Sequence, residues 1–218
     1  MMDIINFKNA EKKTPFAPAY DYYICETNVG HLVDCKKLKE QILYKEKEIL
    51  EKFDYDHDWN TGLGKNSLTS RSNSYNLLKW SGTENLKIAI KENLYTFLKG
   101  LNLPIDSSYY VQCWANVLRT GEFIKLHHHW HSPYTFLGGH VCVSSCETNT
   151  IYVNPYTYEE YQSNNTQGKL TLFPNWLPHK TTTNLSNDER VTIAFDIINE
   201  VTYIEDIFDN KKEHWIKL

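Results

Sequence analysis

The chain has 218 residues, 41% apolar and 23% charged, a composition that suits one globular domain and excludes a disordered or collagen-like polymer. Its 23 Lys+Arg against 27 Asp+Glu give a net charge of −4, so there is no overall basic footprint for nucleic acid. No apolar run approaches the ~18 residues of a membrane span.

The opening Met-Met-Asp-Ile-Ile-Asn has no basic-then-apolar signal pattern. Five cysteines at irregular spacing form no disulfide framework, so a soluble protein in a reducing, cytoplasmic compartment is expected, without membrane or nucleic-acid partners. Aromatics reach 14%, and of the 23 basic residues only Arg71, Arg119 and Arg190 are arginine.

In chain order, Asp34 is the expected N-cap of a helix over Cys35 to Phe53, with Leu38, Ile42, Ile49 and Phe53 on one stripe. Residues 54–80, rich in Asp, Asn, Gly and Ser, read as an irregular excursion. A second helix fits Glu84 to Lys99, with Thr83 as cap and Gly100 as stop. From Tyr109 the period becomes two, and Tyr110, Gln112, Trp114 and Asn116 alternate with Val111, Cys113, Ala115 and Val117. Further extended runs are Phe123–His129, Thr135–Val143, Thr150–Val153, Lys169–Phe173, Lys180–Thr183 and Val191–Ile198, separated by turn residues. Helices first and strands afterwards predict an α+β fold, an antiparallel sandwich or barrel with helices buttressing one sheet. The whole of 1–218 reads as one domain: a helical or irregular portion 1–106, a β core 107–200 and a tail 201–218.

Four of nine histidines fall within Leu126-His127-His128-His129-Trp130-His131. On an extended strand His127, His129 and His131 share one face. Two imidazoles at i and i+2 converge well on a metal, and either His127 with His129 or His129 with His131 meets that condition. Fifty residues after His129, the run Leu172-Phe-Pro-Asn-Trp-Leu-Pro-His179 ends a strand in a turn bracketed by prolines, which restrict where His179 points. In Arg190-Val-Thr-Ile-Ala-Phe-Asp196, Arg190, Thr192, Ala194 and Asp196 share a face opposite Val191, Ile193 and Phe195. An arginine facing a barrel interior needs an anionic partner, and guanidinium suits a carboxylate bidentately. Thr192 can add a hydroxyl donor, while a salt bridge to Asp196 or Glu189 is the internal alternative.

A strand-borne His-x-His, a distal His and then Arg-x-Thr resemble a non-haem Fe(II)- and 2-oxoglutarate-dependent dioxygenase. More narrowly, Trp114-Ala-Asn-Val117, His127-x-His129, Gly138-Gly139, and Leu172 to His179 through Arg190 to Phe195 are similar to a branch found in marine bacteria and cyanobacterial phages. Gly62 to Arg71 also resembles phage members, which would act in a bacterial host cytoplasm. The resemblance covers roughly residues 60–200 and is strongest at 170–197.

It implies a double-stranded β-helix, or jelly roll, with Fe(II) held by His127, His129 and His179 and with O2 and 2-oxoglutarate as co-substrates. Arg190 and Thr192 would hold the far carboxylate of 2-oxoglutarate, and Asn116 would add an amide contact. The oxidised substrate, a small molecule or a protein side chain, is not implied. The family's commonest triad has Asp or Glu where His129 stands, so a three-His site is one charge unit more positive. Two other readings stay open: a metal-binding jelly roll without turnover, and a three-His dioxygenase that needs no 2-oxoglutarate. His140 reads as a core or supporting imidazole, and Cys142 with Cys146 fits structural zinc only loosely. Trp114, Trp130, Tyr152, Tyr156, Tyr158 and Tyr161 are candidate pocket aromatics, and Asn154–Gln167 is a candidate flap over the mouth.

Overall fold

Helix α1 (Cys35–Lys52) begins where the Asp34 carboxylate accepts the Lys37 N–H at 3.0 Å, and Phe53 ends it. It buries Cys35, Leu38, Ile42, Glu46 and Ile49, and each buried aliphatic side chain contributes about 1.5–3 kcal/mol. Glu46 is tolerated on that face because Arg119 grips it with two bonds of 3.1 and 2.6 Å.

Helix α2 (Glu84–Gly100) buries Leu86, Ala89, Ile90, Leu94, Phe97 and Leu98. Thr83 makes no side-chain cap bond to it. The hydroxyl donates instead to the carbonyls of Leu78 and Trp80 in the preceding turn, at 3.1 and 2.8 Å. The helix runs through Gly100, where a Cβ would stand 2.8 Å from Ile4 Cδ1.

The computed structural model describes residues 1–8, 14–16, 21–53, 57–105, 108–129, 134–205 and 212–218. Its strands are β1 (Asp3–Lys8), β2 (Asp21–Asn28), β3 (Tyr109–Leu118), β4 (Leu137–Cys142), β5 (Asn149–Val153), β6 (Glu160–Asn164), β7 (Lys169–Pro174), β8 (His179–Thr181), β9 (Arg190–Asn199) and β10 (Ile216–Lys217). A short helix α3 (Glu200–Ile204) follows β9. One sheet has the order β1-β2-β7-β4-β9-β3-β10 and the other β6-β5-β8. Every described pairing is antiparallel, which is the two-sheet architecture of the expected double-stranded β-helix.

Strands β1 and β2 were not expected in a helical N-terminal portion. β2 joins the large sheet by pairing Cys25 with Leu172, and a partner so distant in sequence leaves no hairpin signal to read locally. The expected strand Phe123–His129 shrinks to a single β-bridge between His127 and His179, because its neighbours bond instead to loop residues such as Thr61 and Asn175.

Val191, Ile193, Phe195 and Ile197 pack with Leu38, Ile42, Ile90, Leu94 and Phe97 in one core, so the two long helices buttress the large sheet. The alternate residues of β9 face the smaller sheet. There a second cluster of Tyr22, Ile24, Tyr152, Phe173 and Leu177 closes part of the space between the sheets.

Gly139 leaves no room for a side chain in the large sheet. A Cβ there would meet the Phe195 ring and the Thr171 carbonyl oxygen, all at 2.5 Å. Gly139→Ala should therefore cost about 1–3 kcal/mol of stability, as overpacking does elsewhere. Thermal denaturation measures it, and an unchanged Tm would mean that β4 yields without loss.

Candidate active site

The three histidines arrive by different routes. His127 and His179 sit opposite each other in the bridge, with backbone bonds His127 N–H to His179 O of 3.0 Å and His179 N–H to His127 O of 2.9 Å. His179 is placed by the turn between the two prolines, closed by Leu177 N–H to Pro174 O at 2.8 Å. The same turn fixes the neighbouring segment, since His129 N–H donates to Asn175 O at 2.8 Å. One ligating atom from each of His127, His129 and His179 lies within 4.8 Å of the others, and no other such group of three occurs among the described residues.

Each ring is locked from behind. His127 Nδ1 bonds Lys125 O at 2.8 Å and His179 Nδ1 bonds Leu177 O at 2.9 Å. His129 Nδ1 bonds Asp196 Oδ1 at 2.6 Å. A carbonyl oxygen cannot donate, so Nδ1 carries the hydrogen in His127 and His179, and Nε2 is left with the lone pair. Burial, and then the neighbouring His129, push the pKa of His127 down to about 4. Burial, with His127 and His129 beside it, holds His179 well below the ordinary value. For His129 burial opposes the charge, but the Asp196 carboxylate outweighs it and the pKa rises. Phe173 lies edge-on to His179 at 4.8 Å between ring centroids, and Trp114 lies 5.6 Å from His129, so apolar surface encloses the group.

These imidazoles line a cavity of about 310 Å³. Asn116 and Trp114 reach it from β3, and Arg190, Thr192, Ala194 and Asp196 from β9. Arg190 is only 2% exposed; it donates to Thr150 Oγ1 at 3.1 Å, and its Nε has no partner. No carboxylate among the described residues pairs with it: Asp196 is engaged by His129, and Glu189 faces Lys39 at 3.3 Å. Burial lowers its pKa from the usual arginine value. Thr192 is 1% exposed, and Asn116 Oδ1 accepts the Thr69 hydroxyl at 2.6 Å.

His140 lines the cavity outside the three-histidine group, and burial, followed by Arg190 and Lys169, lowers its pKa to about 3. Cys142 and Cys146 are free thiols outside that group, so the loose zinc pattern is not assembled among the described residues.

Sequence reasoning missed the wall contributed by the excursion before α2, from which Trp59, Thr61, Thr69, Ser72 and Asn73 line the cavity. Its anchor is Asp58, which accepts the N–H groups of Asn60 and Gly62 at 2.8 and 3.0 Å. Trp59 and Asn60 both have left-handed backbones, with φ of 53° and 60°. Asp, Asn and Gly at 58–62 signal such a turn, but nothing local says what it covers. The expected flap Asn154–Gln167 instead contains β6, paired with β5, and contributes nothing to the cavity. Of the candidate aromatics, Trp114 lines the cavity, Tyr152 packs in the second cluster, and Tyr156 and Tyr158 are exposed. Trp130 and His131 lie outside the described residues.

Converging imidazoles and a buried arginine without a carboxylate partner among the described residues share one cavity of the jelly roll, a donor set able to hold a divalent metal beside an anion. Residues 112–196 match the family model described as "Putative 2OG-Fe(II) oxygenase", and this segment holds His127, His129, His179, Arg190 and Thr192. The match is to the family and does not reach the marine or phage branch.

Solved structures agree in fold. A prolyl-4-hydroxylase from Pseudomonas putida is 11% identical with a TM-score of 0.51, covering 76% of this chain and 81% of its own. A prolyl hydroxylase from Trichoplax adhaerens, in complex with a hypoxia inducible factor oxygen degradation domain peptide fragment, is 11% identical with a TM-score of 0.54, covering 82% and 84%. AviO1 from Streptomyces viridochromogenes is 12% identical with a TM-score of 0.54, covering 81% and 90%. No curated protein sequence matches the chain.

Proposed function

We propose that the protein is an Fe(II)- and 2-oxoglutarate-dependent oxygenase that hydroxylates or otherwise oxidises a small molecule or a protein side chain. His127, His129 and His179 are its metal ligands; Arg190 and Thr192 hold the far carboxylate of 2-oxoglutarate, and Asn116, lining the same cavity, adds an amide contact to the co-substrate. The observation that carries this reading is Arg190: a buried guanidinium with an orphaned Nε, in the same cavity as three imidazoles whose rear nitrogens are already bonded. A buried cation without an anion is costly, and a dicarboxylate able to reach from it to the metal supplies that anion. The donor set fits the metal as well, because imidazole nitrogen suits Fe(II) and each ligand has its supporting hydrogen bond.

When bound, Fe(II) with 2-oxoglutarate and O2 supplies an oxidant able to take hydrogen from an unactivated C–H bond, with succinate and CO2 as co-products. The chain's own part is positional. Leu177 and Lys125 carbonyls hold two imidazoles in the tautomer that presents Nε2, and Asp196 holds the third ring. Arg190 fixes the co-substrate at one end of the cavity, while Phe173 and Trp114 keep water from the reacting centre. The turn anchored by Asp58, tied to β3 through Thr69 and Asn116, walls the remaining side where a substrate would lie.

β1 and β2 join the jelly-roll sheet, which supports one domain for the whole chain. The free cysteines support a reducing, cytoplasmic setting. No helix among the described residues is long and apolar enough to cross a membrane.

The test is anaerobic Fe(II) titration with and without 2-oxoglutarate, read by visible absorption. A charge-transfer band that needs both components is expected. Fe(II) binding with no such band would leave the bare metal-binding module or the dioxygenase that needs no 2-oxoglutarate.

A further inference from the structure

We infer that Asp196, standing behind His129, supplies the negative charge that the metal centre lacks among its direct ligands. This rests on the three-histidine reading of the site. Three neutral imidazoles leave a divalent ion with its full double charge, whereas one anionic ligand would halve it. Among the described residues lining the cavity Asp196 is the one carboxylate, and its Oδ1 lies 2.6 Å from His129 Nδ1, with the two side chains 10% and 12% exposed. That bond is short for a nitrogen–oxygen pair and sits where water screens little.

The pair is held from both sides. Asn175 O fixes the His129 backbone, and β4 passes so close that a Cβ on Gly138 would lie 3.3 Å from Asp196 Oδ1 and from Asn175 Cβ. Asp196 is therefore a positioning residue. By accepting the Nδ1 hydrogen it fixes the ring with Nε2 towards His127 and His179. By sharing that hydrogen it also makes the imidazole a stronger, more anionic donor. The centre regains the net charge of a two-histidine, one-carboxylate site, with the carboxylate displaced by one ring.

Co(II) serves as the probe, since its visible d–d bands report the ligand set and a competing chelator gives the affinity without turnover. Asp196→Asn, nearly isosteric, should weaken Co(II) binding about 10–100-fold with the d–d envelope little changed, because three nitrogens remain. His129→Asp alone sets two carboxylates against each other and should bind worse than His129→Asp combined with Asp196→Asn. The double variant moves the charge to the ligand position and should recover most of the affinity. Circular dichroism checks the fold; if Asp196→Asn does not fold, the comparison of His129→Asp with the double variant decides.

Wild-type affinity in Asp196→Asn, or a double variant no better than His129→Asp, overturns the inference while the site stands. A d–d spectrum altered by Asp196→Asn also overturns it, since Asp196 would then be a direct ligand. Equal Co(II) binding by wild type and His179→Ala sinks the three-histidine site itself, and the inference with it.

Discussion

His179→Ala is expected to abolish stoichiometric Fe(II) binding while the protein stays folded. The backbone of His179 makes both bonds of the bridge to His127, and alanine keeps them, so the two segments stay in register. What disappears is one of three converging nitrogens and the Nδ1 bond to Leu177 O. The carbonyl left short of its donor costs about 1–3 kcal/mol, which a chain of this size survives. Two neutral imidazoles in a water-poor cavity hold Fe(II) far more weakly than three. Anaerobic equilibrium dialysis with metal analysis measures the loss, and unchanged metal content would reject the assignment. The competing register, built on His129 and His131, has its own signature: His131→Ala would remove the metal and His127→Ala would not.

Arg190→Ala should weaken 2-oxoglutarate binding to the Fe(II) protein by tens-fold to thousands-fold. A charged, bidentate contact in a desolvated pocket is worth ~2–5 kcal/mol, and 1.4 kcal/mol is tenfold in affinity. Arg190→Lys should recover only part, because a point charge does not reproduce the planar fork. Without co-substrate the sign reverses. Arg190 is a buried cation without a carboxylate partner among the described residues, so Arg190→Met should be as stable as wild type or more so. Saturating 2-oxoglutarate at 100 times the wild-type Kd should then stabilise wild type by about 2.7 kcal/mol and Arg190→Met by clearly less, in proportion to the logarithm of its lost affinity. Titration calorimetry and thermal shift read the two arms; equal affinity of wild type and Arg190→Ala sinks the anchor role and favours the metal-only module.

The three arginines illustrate how far residue choice carries. Arg119 forks onto Glu46, Arg71 donates from its Nε to Phe53 O at 2.7 Å, and Arg190 points into the cavity. Scarcity alone marks all three as candidates for planar hydrogen bonding. Only the structure separates them, because two meet partners in the helical half and the third meets the Thr150 hydroxyl but no carboxylate among the described residues. Asp196 was legible as a cavity-facing residue from the period of β9, but its bond to His129 joins residues 67 apart. An equally local reading had paired it with Arg190, and geometry assigns it elsewhere.

By itself the sequence determined what repeats at short range: the helix capped by Asp34, the alternation of β3 and β9, the proline-bracketed turn that sets His179, and the family pattern carried by these residues. Those signals arise from neighbours a few positions apart, where backbone period and turn chemistry act directly. Only the tertiary structure decided that β1 and β2 complete the large sheet and that the Asp58 turn walls the cavity. It also decided that Asn154–Gln167 folds into a strand away from the cavity, and that a carboxylate backs the third histidine. Each of these joins groups distant in the chain, and such contacts form only when the two sheets close, so no local pattern announces them.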